Sequence, residues 1–176
     1  MLLRLGEIAE APPPTMEALA AEFDFVFERA PNYTERTQDY IATGPAPFIP
    51  GFAAGYRYRP ARTRPAMWGM PPKDLSQIFD VEFRFPGPWP APFCISRSDL
   101  DALLKRRGWS FRVRVVQPHS LTEEHYSKVS GGYARTARMW PQVGTCITNF
   151  YLTYEEGEAS SMFDFLQSST PERKLK

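Results

Sequence analysis

Histidine, cysteine and long apolar runs are what this chain of 176 residues has least of. Its only histidines are His119 and His125, and its only cysteines Cys94 and Cys146. The cysteines form no CxxC pair and stand at no Cys/His spacing, so neither a zinc centre nor a dithiol redox centre has support. Both lie in apolar, strand-like runs, where a free cysteine behaves as a small buried hydrophobe. A disulfide would require those two runs to be neighbours, and the expectation is two free thiols. The six-residue histidine spacing does not stack both rings on one helical face, which needs three or four residues. Turn or capping histidines are therefore expected ahead of a metal site built with Glu123 or Glu124. No stretch approaches the ~20 apolar residues of a membrane helix. Met1-Leu2-Leu3-Arg4-Leu5, followed by Gly6-Glu7, is too short a run for a secretory leader. These features together lead to the expectation of a reduced, cytoplasmic protein with no membrane partner.

Parts for catalysis are equally scarce. No Gly-x-Ser-x-Gly occurs, and the only glycine pair, Gly131-Gly132, follows an expected helix and lacks the Lys-Ser/Thr of a phosphate loop. The carboxylate pairs Asp80/Glu82 and Asp99/Asp101 have plainer roles, as the wet face of a strand and the first turn of a helix. No enzyme class, cofactor or metal is indicated.

Net charge is small, +1, but unevenly spread. Residues 1–50 carry three basic residues against eight acids (−5), residues 51–120 twelve against five (+7), and the rest six against seven (−1). That asymmetry predicts pairing between the first and middle thirds, or a surface with an acidic and a basic side.

Proline, by contrast, is abundant: 18 residues, 11 of them between Pro45 and Pro92. Proline removes a backbone donor and disfavours helix at the preceding residue, so the middle of the chain must hold long irregular or extended connections. The clearest regular stretch is Ile78–Pro118. Phe79, Val81, Phe83 and Phe85 alternate with Asp80, Glu82 and Arg84, as a strand with one wet face requires. A helix follows, with Ser98 as N-cap, Leu100, Leu103 and Leu104 as its stripe, Lys105 to Arg107 in the last turn and Gly108 as stop. Residues 109–116 make a second alternating strand, and 145–154, apolar on both faces, reads as an inner strand.

Elsewhere the pattern is weaker. Residues 2–8 are expected to be a short strand or ordered lead-in, and Thr15 to cap a helix from Met16 to about Arg29. Phe23, Phe25 and Phe27 supply a competing strand alternation over its second half. A short helix is expected within Thr34–Ala42, a strand at Gly55–Arg59 and a helical turn at Asp74–Gln77. The capping box Ser120–Glu123 points to a helix through Lys128, with a break at Ser130-Gly131-Gly132. Residues 133–143 have no clear period, and 162–166 form a last apolar element.

The expected fold is α+β: a single domain over 1–169 with a mostly antiparallel sheet of about four to six strands and two or three helices mainly on one face. Residues 1–14 form the lead-in, 44–72 a Pro/Arg/aromatic-rich connection and 170–176 a charged tail. The residues left without a scaffold role are Tyr56, Arg57, Tyr58, Arg59, Arg62, Arg64, Trp68 and Trp89. Arginine interleaved with aromatics marks protein-binding hot spots and also grips phosphates and bases; pairing with the acidic first third is the plainer use. The expected function is a non-enzymatic protein-binding module, such as a small bacterial immunity protein that binds and neutralises a toxin or effector. A nucleic-acid binder using residues 56–64 is the first alternative, although a pI of 7.8 falls short of the ~9 usual for such proteins. An enzyme or small-ligand binder centred on His119/His125 is the second, and a homodimer is compatible with any of these.

Overall fold

The computed structural model describes residues 1–31, 34, 37–43, 52–66, 71–86, 94–116, 121–141 and 145–156, with backbone alone at 43, 64, 73, 114–116 and 121–123. Within them the fold is α+β, with half of the chain in strands and all sheet pairings antiparallel. The main sheet has eight strands, more than the four to six expected. In chain order these are β1 (Phe27–Arg29), β2 (Gln38–Thr43), β3 (Ala53–Arg59), β6 (Ile78–Arg84), β8 (Ser110–Val116), β9 (Leu121–Ser130), β10 (Tyr133–Trp140) and β12 (Asn149–Glu156). Their order across the sheet is β1-β2-β3-β6-β12-β10-β9-β8. Two further ladders pair β4 (Arg62–Arg64) with β5 (Lys73–Leu75) and β7 (Ile95–Ser96) with β11 (Cys146–Ile147).

Three helices, α1 (Leu2–Glu10), α2 (Met16–Phe23) and α3 (Arg97–Arg106), pack on one face. That face is apolar because alternation sends Ala54 and Tyr56 of β3, Val81 and Phe83 of β6, Phe150, Leu152 and Tyr154 of β12, and Ala137 and Met139 of β10 the same way. Leu5 and Ala9, Leu19 and Phe23, and Leu100, Leu103 and Leu104 meet them from the helices. Rings fill the α2 end: Phe23, Phe25, Phe52 and Phe83 have neighbouring centroids 5.3–6.1 Å apart. At the other end the Leu103 side chain of α3 packs directly on the α1 backbone, since a Cβ on Gly6 would stand 2.8 Å from Leu103 Cδ2.

Polar bonds fasten α1 down. Glu10 Oε1 accepts from Trp109 Nε1 (2.6 Å) and Oε2 from Lys128 Nζ (2.5 Å), while Lys128 also donates to the Arg107 carbonyl (2.7 Å). Arg135, buried on β10, donates to the Ala9 and Glu10 carbonyls and so satisfies the C-terminal end of α1. Arg107 donates to the Gly6 carbonyl, and Tyr154 to that of Ile8.

Several local expectations give way to these contacts. Residues 2–10 form a helix, not a strand or lead-in, because Leu5 and Ala9 share the buried stripe. The helix capped by Thr15, whose hydroxyl accepts from the Ala18 amide, stops at Asp24 in the left-handed region (φ 55°) instead of reaching Arg29. The Phe25/Phe27 alternation then prevails, and β1 begins at Phe27. Residues 38–43 are β2, not a helix, and β5 replaces the turn expected at 74–77. The N-cap of α3 is Ser96, not Ser98, with its hydroxyl accepting from the Asp99 amide. Gly108 does supply the left-handed stop (φ 81°).

The largest revision lies at 121–140. The capping-box stretch is β9, and the segment without a clear period is β10, joined by a two-residue turn with Gly131 and Gly132 both at positive φ. β9 is hydrogen-bonded on both sides, to β8 and β10, and those ladders outweigh a local helix signal. This hairpin and β12 also separate β6 from β8, so the strand–helix–strand segment spans the sheet and does not form a neighbouring pair. Cys94 and Cys146 are disulfide-bonded (Cα–Cα 5.2 Å), not free, because the β7–β11 ladder brings their segments together, and Cys94 is exposed rather than buried. Among the described residues no helix is long and apolar enough to cross a membrane. Residues 162–166 and 170–176 lie outside the described residues.

Candidate functional site

The face of the sheet away from the helices carries the polar halves of the same alternations. Asp39, Ser127, Thr153 and Glu155 sit on it, yet each is at most 9% exposed. Among the described residues no helix packs on this face. A cavity of about 560 Å³ opens there, lined from β2 through β3, β6, β12 and β10 to β9.

Register places its groups in rows. One row runs Asp39–Arg57–Asp80–Thr153–Thr136–Ser127–Ser110, and the next runs Glu28–Ile41–Gly55–Glu82–Tyr151–Arg138. Gly55, Thr136 and Thr153 are short and form the floor, whereas four arginines (Arg57, Arg59, Arg84 and Arg138) and three carboxylates (Asp39, Asp80 and Glu82) form the walls. Arg57 Nε donates to Asp39 Oδ1 (2.5 Å), Arg59 Nη2 to Asp80 Oδ2 (2.7 Å) and Arg84 Nη2 to Glu82 Oε2 (2.7 Å). Thr153 donates to the second oxygen of Asp80 (2.7 Å), and Asn149 Nδ2 to the second oxygen of Glu82 (2.8 Å). The Arg138 guanidinium lies 5.5 Å from the centre of the Tyr151 ring.

With these arginine side chains 40–49% exposed, each pair is worth only about 0–1 kcal/mol to the fold. Their main effect is positional, because a guanidinium tied at one nitrogen still presents its others in a fixed fork. Burial opposes the charged form of Glu82, but hydrogen bonds from Arg84 and Asn149 outweigh it and hold the carboxyl below its usual range. The bond to Asp39 likewise holds Arg57 above the ordinary guanidinium value, against a smaller opposing effect of burial.

The expected site residues divide. Arg57 and Arg59 stand in this cavity, and Arg57 makes the expected pairing with the acidic first third. Tyr56 and Tyr58 point to the helix side: burial pushes the Tyr56 hydroxyl up to about 12, and Tyr58 stacks on Phe79 at 5.0 Å. Arg62 is exposed on the separate β4 ladder, away from these groups. The Arg64 side chain, Trp68, Trp89 and His119 lie outside the described residues. His125 is buried and lines the cavity. The cavity's carboxylates are on β2 and β6, three or more strands from β9, or roughly 14 Å along the sheet at ~4.8 Å per strand. That spacing suits ligand contacts better than a histidine–carboxylate catalytic pair.

Sequence reading missed Gly55, Arg84, Arg138 and Tyr151 as members of one site. The Asp80/Glu82/Arg84 alternation marked a wet face, but Arg138 could join it only once β10 was known to be a strand. Trp140, beside Pro141, is 56% exposed and belongs to the same face, opposite Asn149. A second cleft, on the other side of the sheet, holds Tyr126, Asp101 and Lys105. Tyr126 donates to Asp101 (2.6 Å), and burial together with that bond raises its hydroxyl well above the usual value. No group of metal ligands occurs among the described residues.

No protein-family model, curated protein or solved structure matches this chain.

Proposed function

We propose that the protein is a non-enzymatic protein-binding module that receives a polar loop of its partner in the concave face of the sheet. A small inhibitor, such as a bacterial immunity protein that neutralises a cognate toxin, is the concrete form of this reading. The observation that carries it is the cavity itself: Arg57, Arg59 and Arg84, each held by a carboxylate, and Arg138 against the Tyr151 ring, over a floor of Gly55, Thr136 and Thr153. Pre-paired guanidinium groups lose little freedom when they contact a partner, and Arg, Trp and Tyr are the residues on which interface energy concentrates. Arg84, Arg138, Tyr151 and the exposed Trp140 form such a cluster around Asn149.

We place its site of action in an oxidising compartment rather than the cytoplasm expected from the sequence, since disulfides persist where thiols are not kept reduced. A free-thiol assay on protein taken from its native source checks this, with zero reactive cysteines expected.

Gly55→Leu tests the reading. Among the described residues a Cβ at Gly55 meets only Glu82, at ordinary contact distances of 3.5 and 3.6 Å, so the strand accepts it while the longer side chain fills the cavity. Wild type is expected to retain one stoichiometric protein from native extract, and Gly55→Leu to lose it with thermal stability unchanged. Capture that survives this substitution, or recovery of no partner by wild type, overturns the proposal.

His125 in the same cavity favours a second reading, a small anionic ligand bound among the arginines. Its volume fits the roughly 300–1,000 Å³ of ligand sites. Thermal shifts with carboxylate and phosphate compounds, abolished by Gly55→Leu, would select it.

A further inference from the structure

We propose that Cys94 is a thiol-exchange site: a small thiol attacks its sulfur in the folded protein, forms a mixed disulfide there and releases Cys146. The two halves of the Cys94–Cys146 bond stand in different surroundings. Cys94 is exposed and lines the second cleft beside Ser96, Asp101 and Tyr126, whereas Cys146 on β11 is half-buried. Exchange goes to the sulfur that an attacking thiolate can reach. The cleft holds about 560 Å³, within the ~300–1,000 Å³ of small-molecule sites, so the body of a short cysteinyl peptide has room beside Cys94.

The joined segments keep other ties when the bond opens. β7 and β11 still pair Ile95 with Ile147 and Ser96 with Cys146, and both isoleucines are buried. The Arg97 amide donates to the Thr145 carbonyl (2.9 Å), and the Arg97 guanidinium to that of Pro141 (2.9 Å). None of these contacts uses a sulfur, so exchange proceeds without unfolding. Exposed disulfides are the labile and regulatory ones, and here the exposure of Cys94 also sets the direction of attack.

The attacking thiolate forms its bond to Cys94 Sγ as the bond between the two protein sulfurs breaks, and the electron pair leaves on Cys146. The Thr145 hydroxyl, 3.8 Å from Cys146 Sγ, is placed to donate to that departing thiolate, which then takes a proton from water. Return attack by Cys146 restores the bond and frees the small thiol. Attack by a second small thiol on the mixed disulfide instead completes a two-electron reduction, leaving two protein thiols and the small thiol's own disulfide. In an oxidising compartment the closed bond is the resting form and the Cys94 adduct the transient one. Neither step uses the concave face, so exchange at Cys94 is independent of partner binding there.

The test treats the full chain, under native conditions, with reduced glutathione as the probe. Samples are quenched with acid at early times, alkylated with iodoacetamide and mapped by peptide mass spectrometry, with circular dichroism recording the fold. The first adduct should carry glutathione on Cys94 and the alkyl group on Cys146, with the spectrum unchanged. Two single-cysteine variants measure the same asymmetry without the return reaction. Given oxidised glutathione, Cys146→Ser should acquire the adduct roughly tenfold faster than Cys94→Ser, because exchange follows thiol access; in urea, where both sulfurs are exposed, the two rates should converge. The proposal is overturned by glutathione placed first on Cys146 or equally on both, by exchange that begins only once urea has unfolded the chain, or by equal rates for the two folded variants.

Discussion

Replacing Glu10 by glutamine tests the joint that holds α1 to the sheet. Glu10 is 28% exposed and Lys128 22%, so their contact is only partly screened. Glutamine can still accept from Trp109 Nε1 through its carbonyl, but its amide nitrogen then faces the Lys128 ammonium, which keeps only the Arg107 carbonyl. A hydrogen bond to a charged group contributes about 1.5–3 kcal/mol, and partial exposure places this loss near the lower end, about 2 kcal/mol. For a chain of this size that corresponds to a melting-temperature drop of about 4–8 °C. The loss should also depend on pH. Burial by itself raises the Glu10 carboxyl, but the hydrogen bonds from Lys128 and Trp109 and the charges of Lys128 and Arg107 outweigh it and hold the group below its ordinary value. A carboxylate depressed in the folded state contributes stability above its unfolded pKa, and that contribution fades as pH falls through the folded pKa. Urea unfolding followed by tryptophan fluorescence at pH 7 and in acid therefore separates the two proteins: the gap of about 2 kcal/mol at neutral pH should close on acidification. A gap below about 0.5 kcal/mol at pH 7, the range of ordinary surface substitutions, would refute the assignment. So would a gap that persists in acid.

Two other perturbations have defined outcomes. Reducing the Cys94–Cys146 bond releases a constraint on chain positions 52 apart, worth up to about 4 kcal/mol on loop-entropy grounds, so differential scanning calorimetry with and without reductant should show a lower melting temperature in reductant; an unchanged melting temperature would mean that the bond does not form. Tyr126→Phe removes the hydroxyl that donates to Asp101 at 2.6 Å while leaving the Lys105 contact, and should cost about 1–2 kcal/mol in denaturant unfolding. A neutral result would show that Asp101 is satisfied without it.

Where residues report on their own neighbours in sequence, the chain was legible. The alternation of Phe79, Val81, Phe83 and Phe85 marks β6, the leucine stripe and Gly108 mark α3, and the two-sided apolarity of 145–154 marks β12 as an inner strand, although that stretch breaks at Thr148 and its Cys146–Ile147 part joins β7 instead. Thr15 caps a helix because its hydroxyl needs only an amide three residues away. From these pieces an α+β chain with a largely antiparallel sheet follows, as do Arg57 and Arg59 as candidates for the site.

What the tertiary structure decided is pairing across distance. The Ser120–Glu123 capping signal loses to two flanking ladders, and only then do Arg138, Trp140 and His125 face Arg57, Arg59 and Arg84. Cys94 and Cys146 become bonded for the same reason, since strand neighbours are set by hydrogen bonds between segments far apart in the chain. Periodicity states which way a side chain points relative to its own strand; it carries no term for which strand lies alongside, and the site consists of residues brought together by that second fact.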